Sequence, residues 1–267
     1  MAYTAVGSLA ATSGSGTNVS SLTLAVSPTA IGDVLVLFAG DCGYHNTLHP
    51  AYSTNDTPVS GVSGGGVTTW NKLVGNGVGT NDGTDSEIWW GVITATGAQT
   101  ISVNWSAPNS YQALVAQQFH SSTAGTWTAG SVTLSTTVAE TLTSFTAITA
   151  PLAGQLYLGA QANLSINETI TLTGGMAGEY PGGGTSGSVI YAYNLSPGTS
   201  AQTPSWPSGS GEPTYTDAQV AGFLYTAAPS SPTRPRVYSQ AVQRAANWMK
   251  RESGLLSPES GLIPRAA

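Results

Sequence analysis

Charge is what this chain has least of. Charged residues occupy 7% of its 267 positions, against roughly a quarter in an ordinary soluble domain. Basic side chains are scarcer still, because residues 1–228 hold a single one, Lys72, against eleven acidic ones. Nucleic acid and anionic lipid are gripped by clustered Lys and Arg, so so acidic a body fits neither. The one cysteine, Cys42, excludes an intramolecular disulfide framework. The most apolar run, Val34 to Ala39, is far too short for a bilayer, which takes roughly 20 residues. Met1 to Ser8 lack the basic and long apolar regions of a secretory signal, which predicts synthesis and folding in a cytoplasm.

Small and turn-forming residues fill the space that charge leaves. Gly stands at 33 and Pro at 15, and Ser and Thr are abundant. Disorder combines low hydrophobicity with high net charge, whereas here 40% of residues are hydrophobic and mean hydropathy is +0.02. The composition is that of many short strands joined by polar turns. Ile31 to Ala39 predicts a continuous apolar strand, Glu87 to Thr94 another strand, and Thr100 to Trp105 one whose Ile101, Val103 and Trp105 share a face. Further strands are expected at Leu22 to Val26, Thr68 to Val74, Tyr111 to Phe119, Ser131 to Leu134, Thr141 to Ile148, Gln155 to Ala162, Glu168 to Leu172, Val189 to Tyr193 and Gln219 to Tyr225. Gly61 to Gly66 and Asn81-Asp82-Gly83 predict turns between them. About a dozen strands with little helix predicts an all-β fold, an antiparallel, jelly-roll-like sandwich. A faint echo between Ala30 to Leu37 and Leu152 to Leu158 suits two facing halves of such a body.

The composition changes at Pro229 to Arg236, where three prolines fall within seven residues, the signature of an extended linker. We therefore expect a body over 1–228, a linker over 229–236, and a helix and tail over 237–267. Tyr238, Val242, Ala245, Ala246 and Met249 recur on one helical face, and so short a helix is marginal in water unless that stripe is covered. The region from 229 onward carries six basic and two acidic residues, opposite in sign to the body. This arm is the predicted partner-binding element.

Motifs for chemistry are thin. Gly61-Val62-Ser63-Gly64-Gly65 matches the pattern of a hydrolase nucleophile elbow, but that elbow needs a following helix and Val67-Thr68-Thr69-Trp70 is strand-like. His45 and His49 stand four apart in a loop containing Gly43, Asn46 and Pro50, where helical ligand spacing has no meaning. The Asn81 to Glu87 stretch offers the carboxylates of Asp82, Asp85 and Glu87, hard oxygens of the kind calcium takes, although an Asx-turn explains Asp82-Gly83 as well. Trp89 and Trp90 are adjacent in a strand and must point to opposite faces, so at most one is exposed. An exposed Trp would suit either a sugar ring or a protein interface. No acid–base pair or triad emerges, and the chain reads as a non-enzyme with no cofactor beyond the calcium candidate.

Gly32-Asp33-Val34-Leu35-Val36, Thr69-Trp70, Trp89-Trp90-Gly91-Val92, Ile101-Ser102-Val103-Asn104-Trp105 and Ala113-Leu114-Val115-Ala116 together resemble the β-sandwich structural proteins of tailed bacteriophages, actinobacterial ones especially. The resemblance covers most of residues 20–225. It implies a virion subunit of minor-tail, tail-tip or head-decoration type, whose partners are other virion proteins and copies of itself, with neither nucleic acid binding nor membrane insertion. The alternative is a carbohydrate-binding module acting as an adhesin on host-surface glycan.

Overall fold

The computed structural model describes residues 2–42, 58–78, 84–138, 148–149, 154–164, 187–199, 201–202 and 216–227. They form twelve strands and no helix, and every pairing among them is antiparallel. The first sheet has the order β1 (Tyr3–Val26), β6 (Gln99–Ser121), β2 (Val34–Cys42), β5 (Thr84–Val92), β4 (Asn71–Val78), with β3 (Val59–Gly64) also paired to β6. The second runs β10 (Gly187–Asn194), β9 (Leu156–Leu164), β12 (Thr216–Ala227), β7 (Thr126–Val138), and β8 (Ile148–Thr149) pairs with β11 (Ala201–Gln202). Met1–Ala228 is a compact unit in itself. The segment expected to form the linker and the helix with Tyr238, Val242, Ala245, Ala246 and Met249 lies outside the described residues.

The continuous apolar run of β2 explains its central place. A strand that is hydrophobic at every position needs cover on both faces, and both are covered. Val34, Val36 and Phe38 face the second sheet, in one cluster with Leu156, Leu158, Ala160, Val189, Tyr191 and Val220. Leu35, Leu37 and Ala39 face the other way, into a cluster with Leu24, Val59, Ile101, Val103 and Trp105. β9 lies over β2 and β5, and β12 over β5 and β4, so the two segments with the echo, β2 and β9, pack face to face. Phe38 meets Tyr191 across this interface at 5.2 Å between ring centroids.

The cover on the second face comes from the long strands. β1 and β6 span 24 and 23 residues, several times the usual strand length of about 5–6. Tyr111 to Phe119 of β6 pair with β2, while Ile101 and Val103 of the same strand pack on Leu35 and Leu37. The early half of β6 therefore lies across the sheet to which its later half belongs. Register shifts in β1 between Val6 and Ala10 and between Ser15 and Ser21 supply the bends, because a bulge sharpens strand curvature.

Several sequence expectations need correction. Thr100 to Trp105 and Tyr111 to Phe119 are one strand, and Leu22 to Val26 is the end of another that begins at Tyr3. Gly61 to Gly64 belong to β3, and only beyond them does the chain turn, with Gly64, Gly65 and Gly66 all at positive φ. Backbone sterics at Gly64 leave no room for a Cβ, which would strike the Thr100 carbonyl. After this turn Val67 bridges to Ile93, so the segment around Ser63 lacks the helix a nucleophile elbow requires.

Candidate functional site

Alternation along β5 sets the site. Ser86 and Ile88 point toward the second sheet, whereas Asp85 and Glu87 share the opposite face with Leu37 and Ala39. Asp85 lies directly across from Asp41, and Glu87 across from Ala39. Asp85 is 2% exposed, Glu87 0% and Asp41 1%, so three carboxyl groups are buried at one end of this face. The sequence read Asn81 to Glu87 as an acidic loop ending in a strand at Glu87; the strand begins earlier, at Thr84, so Asp85 is also a buried strand residue, and Asp82 lies outside the described residues.

Glu87 is held by donors from three directions. Lys72 Nζ donates to Oε1 at 2.6 Å, the Val59 backbone N–H donates to the same oxygen at 3.1 Å, and Trp89 Nε1 donates to Oε2 at 2.6 Å. The Lys72 ammonium also stands 5.6 Å from the centre of the Trp89 ring, within reach of a cation–π attraction. Its path exists because position 75 has no side chain: a Cβ on Gly75 would lie 2.7 Å from Lys72 Cε and 2.9 Å from Nζ. Gly75 sits opposite Glu87 and Gly77 opposite Asp85. The lysine thus lies along β4 above the residues that face the two acids.

Asp85 behaves differently from Glu87. Burial above all, then the negative charges of Glu87 and Asp41 and a hydrogen bond with Glu87, push its carboxyl up to about 10 from 3.8. A desolvated acid beside other acids keeps its proton, and Asp85 is neutral at physiological pH. The arrangement brings a half-exposed lysine amine onto the buried carboxyl group of Glu87, with the raised carboxyl of Asp85 on the same face. Both Glu87 oxygens are engaged by Lys72, Val59 and Trp89. Among the described residues, no group of three or more His, Cys, Asp or Glu could hold a metal ion.

A second polar network lies at the far end of the same face. Asp33 accepts from Gln118 Nε2 at 2.6 Å and meets His120 Nδ1 at 2.7 Å. Against an ionised Asp33 the ring nitrogen is the donor. Gln118 Oε1 in turn accepts from the Thr29 backbone N–H at 3.0 Å and from Thr29 Oγ1 at 3.3 Å. These bonds fix the turn before β2, and His120 is left 53% exposed. Next to them is a cavity of about 480 Å³ lined chiefly by Val6, Ala10, Val26, Pro28 and Leu35. Its one buried amide, Gln118, is already spent on Thr29 and Asp33.

The tryptophans point to opposite faces as expected, but neither is exposed. Trp89 packs on the cluster containing Leu37, and Trp90 on the cluster containing Val36. Both rings are half-buried. No protein-family model matches the chain, and no curated protein or solved structure matches it either.

The groups that sequence reasoning missed are Lys72, Asp33, Gln118 and His120. Lys72 did carry a signal, as the single basic residue before position 229. Its partner could not be read, because that depends on the pairing of β4 with β5 and on the bulge between Lys72 and Val74.

Proposed function

We propose that this chain is a non-enzymatic structural subunit of a tailed-phage virion, a minor tail, tail-tip or capsid-decoration protein. Its body is a jelly-roll-like antiparallel sandwich, and its C-terminal helical arm attaches it to neighbouring virion proteins or to copies of itself. The observation that carries this reading is how the body uses its charged groups. Glu87 is spent on Lys72, Trp89 and Val59, and Asp33 on Gln118 and His120, which ties strands together rather than presenting reactive groups to a ligand. The acidic body and basic arm are electrically complementary between subunits, which favours orientation and rate of docking.

The experiment is assembly with the arm altered. Val242→Asp together with Met249→Asp places two charges on the stripe that has to be covered. Oligomers, or incorporation into particles followed by mass spectrometry, should be lost while the far-ultraviolet spectrum of the body is unchanged. Normal assembly by this double variant would overturn the attachment role. The carbohydrate-binding alternative is weakened by the packing of Trp89 and Trp90. A saturable glycan-binding isotherm abolished by Trp89→Ala or Trp90→Ala, with the fold intact, would restore it.

A further inference from the structure

Lys72, Asp85 and Glu87 together have the composition of a bond-forming site, which goes beyond the strand-tying contact described above. We propose that the Lys72 amine and the Asp85 carboxyl join in an intramolecular isopeptide bond, made by the folded protein itself with Glu87 as the proton-transfer group.

Placement is the first argument. Lys72 stands opposite Trp89, Gly75 opposite Glu87 and Gly77 opposite Asp85. The lysine side chain runs over Gly75, with Nζ 2.6 Å from Glu87 Oε1. It therefore extends from its own position toward the Asp85 end of the strand pair. Glu87, which holds the amine, and Asp85 are two residues apart on the same face of β5, so the amine and the Asp85 carboxyl flank one carboxyl group. Such pre-arrangement replaces a bimolecular encounter. Position 77 is also a glycine, so β4 places no side chain opposite Asp85.

The protonation states suit the roles. An amide forms from a neutral amine and a carboxyl whose hydroxyl can leave as water, and a carboxylate is a poor electrophile. Asp85 is the buried acid whose carboxyl is pushed up, whereas both Glu87 oxygens are occupied as acceptors from Lys72, Val59 and Trp89, which selects Asp85 as the electrophile. Glu87 takes a proton from the Lys72 ammonium, and Nζ attacks Cγ of Asp85. The C–N bond forms, Glu87 returns the proton to the departing hydroxyl, and the C–O bond breaks. The second amine proton then passes to Glu87, which releases it to solvent. One water leaves, one proton stays on the amide nitrogen, and no oxidant, metal or cofactor enters the balance. This is general acid–base catalysis by one positioned carboxylate. The bonds from Trp89 Nε1 and the Val59 N–H keep that carboxylate fixed, and the Trp89 ring shields one side of the amine.

Intact-mass measurement of the purified full chain tests this directly. The expected mass is lower than the sequence mass by one water, and proteolysis should release a branched peptide joining the Lys72 and Asp85 segments. Lys72→Arg retains a cation for Glu87 but cannot form the bond, and should have the full mass. Glu87→Gln keeps the shape and should also remain at full mass while folded. The Asp82-Gly83 sequence could lose water by forming a succinimide, and that loss would persist in Lys72→Arg. A wild-type chain that is folded and remains at full mass after prolonged incubation at neutral pH overturns the proposal. So does a water loss that survives Lys72→Arg, or a peptide map without the branch. The wild-type map decides the matter even if a variant fails to fold.

Discussion

Asp41 on β2 and Asp85 on β5 face each other directly across an antiparallel pair, both buried. Two like charges in that position would repel strongly, and retention of a proton by Asp85 removes the conflict.

A pH dependence of definite sign follows. The Asp85 carboxyl is raised in the folded state from 3.8 to about 10, so its contribution is fully present below pH 3.8 and is lost as pH rises through about 10. Between these values the unfolded chain has released a proton that the folded chain keeps, and stability falls with increasing pH. The limiting slope for one proton is about 1.4 kcal/mol per pH unit. The measurement belongs in Lys72→Arg, whose carboxyl stays free: urea midpoints from pH 5 to 9 should decline, and adding Asp85→Asn should flatten the decline. An unchanged slope on adding Asp85→Asn would show that another group is responsible.

Gly75→Ala tests the path of the lysine. The new Cβ would meet Lys72 Cε at 2.7 Å and Glu87 Cγ at 3.1 Å, and the flexible lysine end is what yields. Glu87 then keeps its Trp89 and Val59 donors but loses its cation. Removing one partner of a buried pair is costly, though Lys72 is 39% exposed and solvent screens part of the loss. We expect destabilisation of about 1–2 kcal/mol by denaturant titration. A neutral result would mean that the ion pair contributes little.

Phe38→Ala tests whether the two sheets unfold together. Phe38 is fully buried and touches Tyr191 of the second sheet. Truncating such a side chain costs about 3–5 kcal/mol. Hydrogen exchange should accelerate in β9 and β10 as much as in β2. Acceleration confined to the first sheet would show that the sheets are energetically separate.

Ending the chain at Ala228 should leave the body folded. The Pro-rich segment that follows has the character of a linker, and domain boundaries fall in such segments. One cooperative melting transition is the expected outcome, and its loss would mean that residues beyond 228 are part of the core.

Much of the fold was legible because it rests on local alternation. The run Val34 to Ala39 announced a continuous apolar strand, and Ile101, Val103 and Trp105 one with a single apolar face. The early part of β1 was illegible, since Ala11 to Asn18 read Ala-Thr-Ser-Gly-Ser-Gly-Thr-Asn and carry no apolar period. That stretch is strand because β6 offers it backbone partners, which is a tertiary cause. In the candidate site, Asp85 and Glu87 were found by residue type and then misread. Their burial depends on β1, β3 and β6 folding over the face, and no pattern within seven residues reports that.

The β1–β6 ribbon also sets an order of events. The Ala2 backbone N–H bonds to Ser122 Oγ, 120 positions later, and Tyr3 pairs with Ser121. During synthesis the N-terminal end of the first strand has no partner until the end of β6 has left the ribosome, and at about 5–20 residues per second that is a wait of several seconds or more. Such high contact order predicts slow folding. An unpaired strand in waiting is an aggregation hazard when it is apolar, and the Ser-, Thr- and Gly-rich stretch that hid β1 from sequence reading is what makes the delay tolerable.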